Sequence, residues 1–217
     1  MKEMKIKVCG MKYSENIKGL SLLFPDYMGF IFYKNSKRFV ENLNPDILLS
    51  IPEKIKKTGV FVNETSEEIE KMVRLYHLQA IQLHGEESPE FCQYFKEKGL
   101  EVIKAISIST KDDLQKMHNY AFPDCCNYLL FDTKTPLYGG SGEKYDWEIL
   151  HNYAENIPFF LSGGIDPDDL SRIESFHHPL LYGVDLNSRF ENEDVSKNIP
   201  QVEIFMTQLR KQIRETL

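Results

Sequence analysis

A cysteine and an aspartate, each at the end of a short apolar run, are the residues of this sequence best suited to move protons. Cys9 follows the run KIKV, and Asp132 ends CNYLLFD. A thiolate can act as a base, and a carboxylic acid with a raised pKa can donate a proton near neutral pH. Together they could remove a proton from one substrate atom and deliver one to another. On composition alone, however, a small buried hydrophobic role for Cys9 is the more common case.

Further polar or glycine residues stand at the ends of similar runs: Asn63, His84, Gly163, Gly164 and Asp185. Because side chains alternate along a strand, Lys7 should share the face of Cys9, and Gln82 that of His84. The residues between them should face helices on the other side: Ile6, Val8, Ile81 and Leu83.

Four charged residues, Lys7, Lys104, Asp132 and Asp185, are expected to point into one interior. Buried charges without partners cost several kcal/mol, so at least one lysine should contact an aspartate. Asp185 is the preferred partner, because a lysine contact would lower the pKa that Asp132 needs to act as an acid. A purely structural ion pair is the alternative for Asp185. The Lys7 ammonium should also lower the pKa of Cys9.

These residues must be positioned by eight short apolar runs that recur at nearly even intervals: KIKVCG (5–10), YMGFIF (27–32), KTGVFVN (57–63), AIQLHG (80–85), EVIKAIS (101–107), CNYLLFD (126–132), PFFLSGG (158–164) and LLYGVDLN (180–187). Between them lie helix-start signals, with Ser14, Thr65 and Ser88 as candidate N-caps and Asp166-Pro167-Asp168 as an acidic cap. Eight strand–helix units without a linker predict an α/β fold, one (β/α)₈ TIM barrel that forms a single catalytic domain over residues 1–217. A doubly wound open sheet is the alternative, but no Gly-x-Gly-x-x-Gly follows the first run.

Composition excludes several classes of protein. The chain has 217 residues, 41% of them hydrophobic, and a formal net charge of -7, which argues against nucleic acid or an anionic membrane as a partner. No run approaches the ~20 apolar residues of a membrane helix, and no signal-peptide pattern opens the chain, so we expect a cytoplasmic protein. The four cysteines show no Cys-x-x-Cys pair and are expected to be free thiols.

Segments along nearly the whole chain resemble the phosphoribosylanthranilate isomerase family in order and spacing: KVCGM, MGFIFYKNSKRFV, TGVFVNET, IQLHGEE, VIKAIS, LLFDTKTPLYGGSGEKYDW, FFLSGGIDPDDL and GVDLNSRFE. The combination of KVCG, FDTK, GGSG and SGGI is the specific part. The resemblance implies an Amadori rearrangement in L-tryptophan biosynthesis, from N-(5'-phosphoribosyl)anthranilate to 1-(2-carboxyphenylamino)-1-deoxyribulose 5-phosphate. It implies no cofactor and no metal. Met4 is an alternative start, because the family usually begins near that point.

The resemblance also implies residue roles. Cys9 matches the family's general base and Asp132 its general acid. This match favours a catalytic role for Cys9 over the role of a small buried hydrophobic residue. Arg38, in NSKRF, matches the arginine that holds the anthranilate carboxylate, with a solvated surface arginine as the alternative. His84 is expected to line the pocket without a proton-transfer role. The glycine-rich loop TPLYGGSGEK is expected to cover Asp132.

The substrate's phosphate should bind between the loops after the seventh and eighth strands. There Ser162-Gly163-Gly164 allows close approach of backbone N–H groups. After the eighth strand the chain departs from the family's usual Ser-Ser-Gly-Val-Glu type of stretch and has Ser188 and Arg189 before Phe190 and Glu191. Ser188 can still donate a hydrogen bond. Arg189 could add a cation for phosphate, or form a salt bridge with Glu191.

Two rival functions remain open from the residues alone. A metal-dependent phosphosugar epimerase would need several histidine and aspartate ligands at strand ends, and His84 is the only histidine there. A non-catalytic phosphosugar-binding barrel would be expected to have replaced Cys9 or Asp132. The predicted partner is a small phosphorylated substrate, and the protein is expected to be a monomer or a homodimer.

Overall fold

The computed structural model describes residues 4–121, 125–133 and 145–215, in which eight parallel strands close into a barrel. The strands are β1 (Lys5–Val8), β2 (Tyr27–Ile31), β3 (Lys56–Phe61), β4 (Ala80–Leu83), β5 (Glu101–Ile108), β6 (Tyr128–Thr133), β7 (Phe159–Leu161) and β8 (Leu181–Leu186). Each strand pairs with the next one in sequence, and β8 pairs with β1 to complete the ring. Every predicted run overlaps one strand to within one or two residues, and the predicted (β/α)₈ barrel is confirmed.

The outer layer consists of helices that differ in length and type. The α-helices are α1 (Ser14–Ser21), α2 (Pro45–Leu49), α3 (Ser66–Tyr76), α4 (Pro89–Glu97), α5 (His118–Ala121), α6 (Leu170–Ser175) and α7 (Ile199–Glu215). Short 3₁₀ helices cover Lys111–Met117, Trp147–Asn152, Pro167–Asp169 and Ser188–Phe190. Between β6 and β7, the described part of the crossover contains a 3₁₀ helix in place of a regular α-helix.

Side-chain caps start most of the predicted helices. The Thr65 hydroxyl accepts a hydrogen bond from the Glu68 amide, and Ser88 caps α4 in the same way. Asp166 caps the turn before α6, as predicted. The prediction for Ser14 is wrong: Ser14 is the first residue of α1, and Tyr13 occupies the cap position without a side-chain hydrogen bond.

The strands bury apolar side chains on both faces, as parallel barrel strands must. Ile6, Val8, Ile81 and Leu83 belong to the large core between strands and helices, as the alternation predicted. A smaller core fills the barrel interior: Tyr27, Ile103, Ala105, Leu130 and Phe160. Because this interior cluster is packed with side chains, polar chemistry is confined to the carboxyl ends of the strands.

Lys104 lies on the outer face of β5, so the prediction that it points into the barrel interior is wrong. Its neighbours Ile103 and Ala105 are the inward residues of this strand. The Lys104 Nζ atom donates to the Gly85 carbonyl at 2.6 Å and to Glu87 Oε2 at 2.9 Å. Glu87 in turn accepts from the Gly85 amide. This buried ion pair therefore fixes the loop that follows His84.

Candidate active site

A buried ion pair lies at the centre of the barrel mouth. Lys7 and Asp185 are register partners on β1 and β8, and Lys7 Nζ lies 2.9 Å from Asp185 Oδ1. This contact confirms the predicted lysine–aspartate pairing and the preference for Asp185. Cys9 lies on the same face of the chain two residues on, and its thiol interacts electrostatically with the Lys7 ammonium. The strand alternation thus brings Lys7, Cys9 and Asp185 together, as expected.

The Cys9 thiol is almost completely buried, and its protonation differs from the sequence-based expectation. Burial raises the pKa of Cys9, and the Lys7 ammonium lowers it only in part. The Lys7 ammonium does lower the pKa of Cys9, as expected, but burial of the thiol outweighs it and the Asp185 carboxylate adds to the increase.

Asp132 is the penultimate residue of β6 and contacts His84, which directly follows β4. His84 Nε2 lies 3.4 Å from Asp132 Oδ2, and Gln82 Nε2 lies 2.8 Å from His84 Nδ1. Asp132 also accepts a hydrogen bond from the Thr133 amide at 2.9 Å. The alternation of β4 thus places Gln82 and His84 on one face, as predicted, and gives Asp132 an imidazole neighbour.

Asp185 connects the two ends of this arrangement. Its carboxylate interacts electrostatically with Cys9 and with Asp132. In barrel order, β8 adjoins β1, and β6 lies two strands further round the ring. By strand alternation, Cys9 follows the inward-facing Lys7 and Asp132 follows the inward-facing Leu130, so both side chains are on the inward faces at the carboxyl end of the barrel.

Arg38 is only 3% exposed, so the alternative of a solvated surface arginine is wrong. Its Nε and Nη2 atoms donate to the two carboxylate oxygens of Glu191 at 2.6 and 2.7 Å. Lys197, also buried, donates to the same carboxylate at 2.6 Å and to Asn187 Oδ1 at 2.8 Å. Sequence reasoning gave Glu191 only as a possible partner of Arg189 and did not consider Lys197. No local pattern signals contacts that span 153 residues.

The segments predicted to bind phosphate follow two paired strands. Leu161 and Val184 are register partners, so the turn Ser162-Gly163-Gly164 and the 3₁₀ helix that begins with Ser188 leave the barrel at the same edge. Gly163 and Gly164 both have positive φ, and a Cβ on Gly163 would lie 2.8 Å from the Thr133 amide nitrogen. Arg189 is exposed, and both oxygens of Glu191 accept from other cations. The phosphate roles and the role of Arg189 stay predictions.

Three further sequence-based points concern what lies around the site. The loop TPLYGGSGEK, predicted to cover Asp132, lies outside the described residues. Over residues 4–121, 125–133 and 145–215, no group of three or more His, Cys, Asp or Glu side chains is arranged to hold a metal ion. None of the helices described there is both long and apolar enough to cross a bilayer.

An eight-stranded barrel with a thiol and a carboxylate facing one polar mouth defines a (β/α)₈-barrel enzyme. The family described as "N-(5'phosphoribosyl)anthranilate (PRA) isomerase" matches residues 6–208. The chain belongs to this family, and the predicted isomerase of tryptophan biosynthesis is confirmed at that level.

Individual relatives match this chain over nearly their whole length. The N-(5'-phosphoribosyl)anthranilate isomerase of Parabacteroides distasonis is 43% identical over 98% of this chain and 96% of its own. A solved phosphoribosyl anthranilate isomerase in complex with reduced 1-(o-carboxyphenylamino)-1-deoxyribulose 5-phosphate is 28% identical, with a TM-score of 0.80 over 96% of this chain and 99% of that one. Monomers made from the dimeric enzyme of Thermotoga maritima give 29% identity and a TM-score of 0.79 over the same shares.

Proposed function

We propose that this protein converts N-(5'-phosphoribosyl)anthranilate into 1-(2-carboxyphenylamino)-1-deoxyribulose 5-phosphate, with Cys9 as general base and Asp132 as general acid. The observation that supports these roles is that Cys9 and Asp132 lie on the inward faces of β1 and β6 at the carboxyl end of the barrel, two residues after the inward-facing Lys7 and Leu130. A thiolate and a carboxylic acid are sufficient for the two proton transfers that the reaction needs.

The reaction divides into two proton transfers. Asp132 donates a proton to the ribose ring oxygen, the C1'–O bond breaks, and the anthranilate nitrogen's lone pair forms a Schiff base. Cys9, as thiolate, then takes the proton from C2', and the electrons of that C–H bond move to give an enolamine. Tautomerisation of the enolamine gives the ketone product. His84 contacts Asp132 and lines the pocket beside it.

Two anionic groups of the substrate are bound away from the reacting carbons. Arg38 binds the anthranilate carboxylate, a task that suits a planar guanidinium. The phosphate binds at Ser162, Gly163 and Gly164, where positive φ turns the backbone so that N–H groups can approach an anion. Ser188 and Arg189 supply a hydroxyl and a cation from the adjoining loop.

The whole chain, residues 1–217, acts as one catalytic domain in this proposal. It needs no cofactor or metal, since both steps are proton transfers by side chains. The substrate is a small polar metabolite, which suits a cytoplasmic enzyme without nucleic-acid or membrane partners, and the net charge of -7 supports this. The protein works as a monomer or a homodimer, and the dimeric Thermotoga maritima relative supports the second form.

Loss of anthranilate-ring fluorescence tests the proposed function. Purified protein is mixed with freshly generated N-(5'-phosphoribosyl)anthranilate, and the product is identified by mass and by its ketone. Catalytic turnover to the ribulose phosphate is the expected result. Binding of the reduced product analogue without any turnover would overturn the proposal and favour a non-catalytic phosphosugar-binding barrel.

A further inference from the structure

Three buried charged side chains form one cluster beside the barrel mouth: Arg38, Glu191 and Lys197. The exposed fractions of the three side chains are 3%, 4% and 0%. Arg38 bonds both carboxylate oxygens of Glu191, and Lys197 lies 2.6 Å from the oxygen that also accepts from Arg38 Nε. The cluster joins the loop after β2 to the segment after β8.

Among the described residues, the cluster comprises two cations and one carboxylate, so its three side chains carry one excess positive charge. Charges buried to this extent are normally balanced, because an uncompensated buried charge is costly. The two bonds to Glu191 use two of the five N–H donors of Arg38, on its Nε and Nη2 side. The remaining donors belong to Nη1 and Nη2, whose arrangement suits a second carboxylate. One further negative charge would therefore neutralise the cluster.

The cluster also lies directly beside the candidate base. Gly10 follows Cys9, and a Cβ added to Gly10 would be 2.6 Å from Arg38 Cδ and 2.9 Å from Asn187 Oδ1. Lys197 bonds that same Asn187 oxygen. A carboxylate bound to Arg38 would therefore lie at the edge of the Cys9 pocket.

We propose that Glu191 and Lys197 are positioning residues for recognition of the substrate's aryl carboxylate. Glu191 holds the guanidinium of Arg38 in one plane by two parallel hydrogen bonds. Lys197 neutralises Glu191, so that Arg38 keeps its full charge for the substrate, and the incoming carboxylate completes the charge balance. This inference rests on the proposed function, in which Arg38 binds the anthranilate carboxylate.

The test compares the binding of two probes by calorimetry. One probe is reduced 1-(o-carboxyphenylamino)-1-deoxyribulose 5-phosphate, and the other is the same compound without the carboxyl group. Glu191→Gln should weaken binding of the first probe by about 10- to 100-fold, the range for a charged hydrogen bond, and leave the second within about threefold. The control is Lys37→Met, because Lys37 is exposed and lies 3.9 Å from Glu191. This control should change neither affinity.

The difference in affinity loss between the two probes distinguishes a role of Glu191 in positioning Arg38 from a general role in stabilising the fold. Equal losses for both probes, or no loss for either, would overturn the inference, because a structural anchor would not distinguish the carboxyl group. Lys197→Met should show the same selective loss, and it provides the test if thermal unfolding shows that Glu191→Gln does not fold. If the wild type turns over its substrate but binds both probes equally, this inference fails while the proposed function stands.

Discussion

The Nζ atom of Lys7 lies 2.9 Å from Oδ1 of Asp185, across the seam where β8 closes the barrel on β1. Both side chains are almost completely buried. Burial lowers the pKa of Lys7, but the charges of Asp185 and Cys9 outweigh this effect and raise it, so the lysine is charged. This ion pair sets the electrostatic environment of Cys9.

Replacement of one member of this pair should destabilise the protein strongly. Asp185→Asn leaves the Lys7 ammonium buried without a counter-charge, and we expect the free energy of unfolding to fall by about 3–5 kcal/mol. Urea denaturation measures it. The double variant Lys7→Met, Asp185→Asn should lose less than the sum of the losses in Lys7→Met and Asp185→Asn measured separately. Additive losses would show that the two side chains do not depend on each other.

Gly29 is the neighbour that leaves room for the Cys9 thiol. A Cβ on Gly29 would lie 2.6 Å from Cys9 Sγ and 3.1 Å from Cys9 Cα. Gly29→Ala should displace the thiol and lower kcat by about tenfold or more, since small displacements of a reacting group are costly. Gly19→Ala is the control. Its Cβ would meet only Ile199 at 3.4 Å or beyond, so kcat should be unchanged. Unchanged kcat in Gly29→Ala would contradict the assigned position of the base.

Lys104 should matter for stability through Glu87. Lys104→Met leaves a buried carboxylate without its cation, and the expected loss is about 3–5 kcal/mol in the free energy of unfolding. Adding Glu87→Gln should recover part of this loss. Lys71→Met serves as the control, because the Lys71–Glu68 pair is exposed and should contribute less than about 1 kcal/mol. Equal effects of the two lysine changes would contradict the buried pair.

Lys197 should make stability depend on pH in the alkaline range. Burial lowers its pKa to about 8, with Glu191 opposing and Arg38 adding to the decrease. Between about pH 8 and its ordinary pKa near 10.4, the unfolded chain binds the proton more strongly than the folded one. The free energy of unfolding should therefore rise with pH there, by at most about 1.4 kcal/mol per pH unit.

A comparison of the protein that retains Lys197 with its Lys197→Met variant isolates this effect. Both proteins should carry Cys9→Ser, because the Cys9 thiol is ionisable and interacts electrostatically with Lys197. Asp185, whose pKa is raised by burial, also interacts electrostatically with Lys197, but it is present in both proteins. The stability difference between the two proteins, measured by urea denaturation from pH 7 to 10, should grow with pH. A flat or decreasing difference would contradict the lowered pKa of Lys197.

The positions of the strand ends could be predicted because polar residues interrupt apolar runs there. The alternation in KIKVCG and AIQLHG has a clear phase, so the inward faces of Lys7, Cys9 and His84 were predictable. The run EVIKAIS has apolar residues on both faces, as a buried parallel strand does, and it gives no phase for Lys104. That prediction failed for this physical reason.

Long-range partners were the other part that the sequence could not supply. The bonds of Glu191 to Arg38 join segments 153 residues apart, and only the closure of the barrel brings them together. The prediction of the net pKa shift of Cys9 failed because it also depends on the folded environment. Lys7 lowers the pKa of the thiol, as expected, but burial of the site raises it more and the charge of Asp185 adds to the increase.

The measurement that tests the central claim most directly is single-turnover loss of anthranilate fluorescence in Cys9→Ser and Asp132→Asn, beside wild type. General acids and bases each typically supply about 10²- to 10⁴-fold. We expect both variants to lose at least 10²-fold in rate while they still bind the reduced product analogue with wild-type affinity. A variant that retains the wild-type rate would show that its residue is not the acid or base of this site.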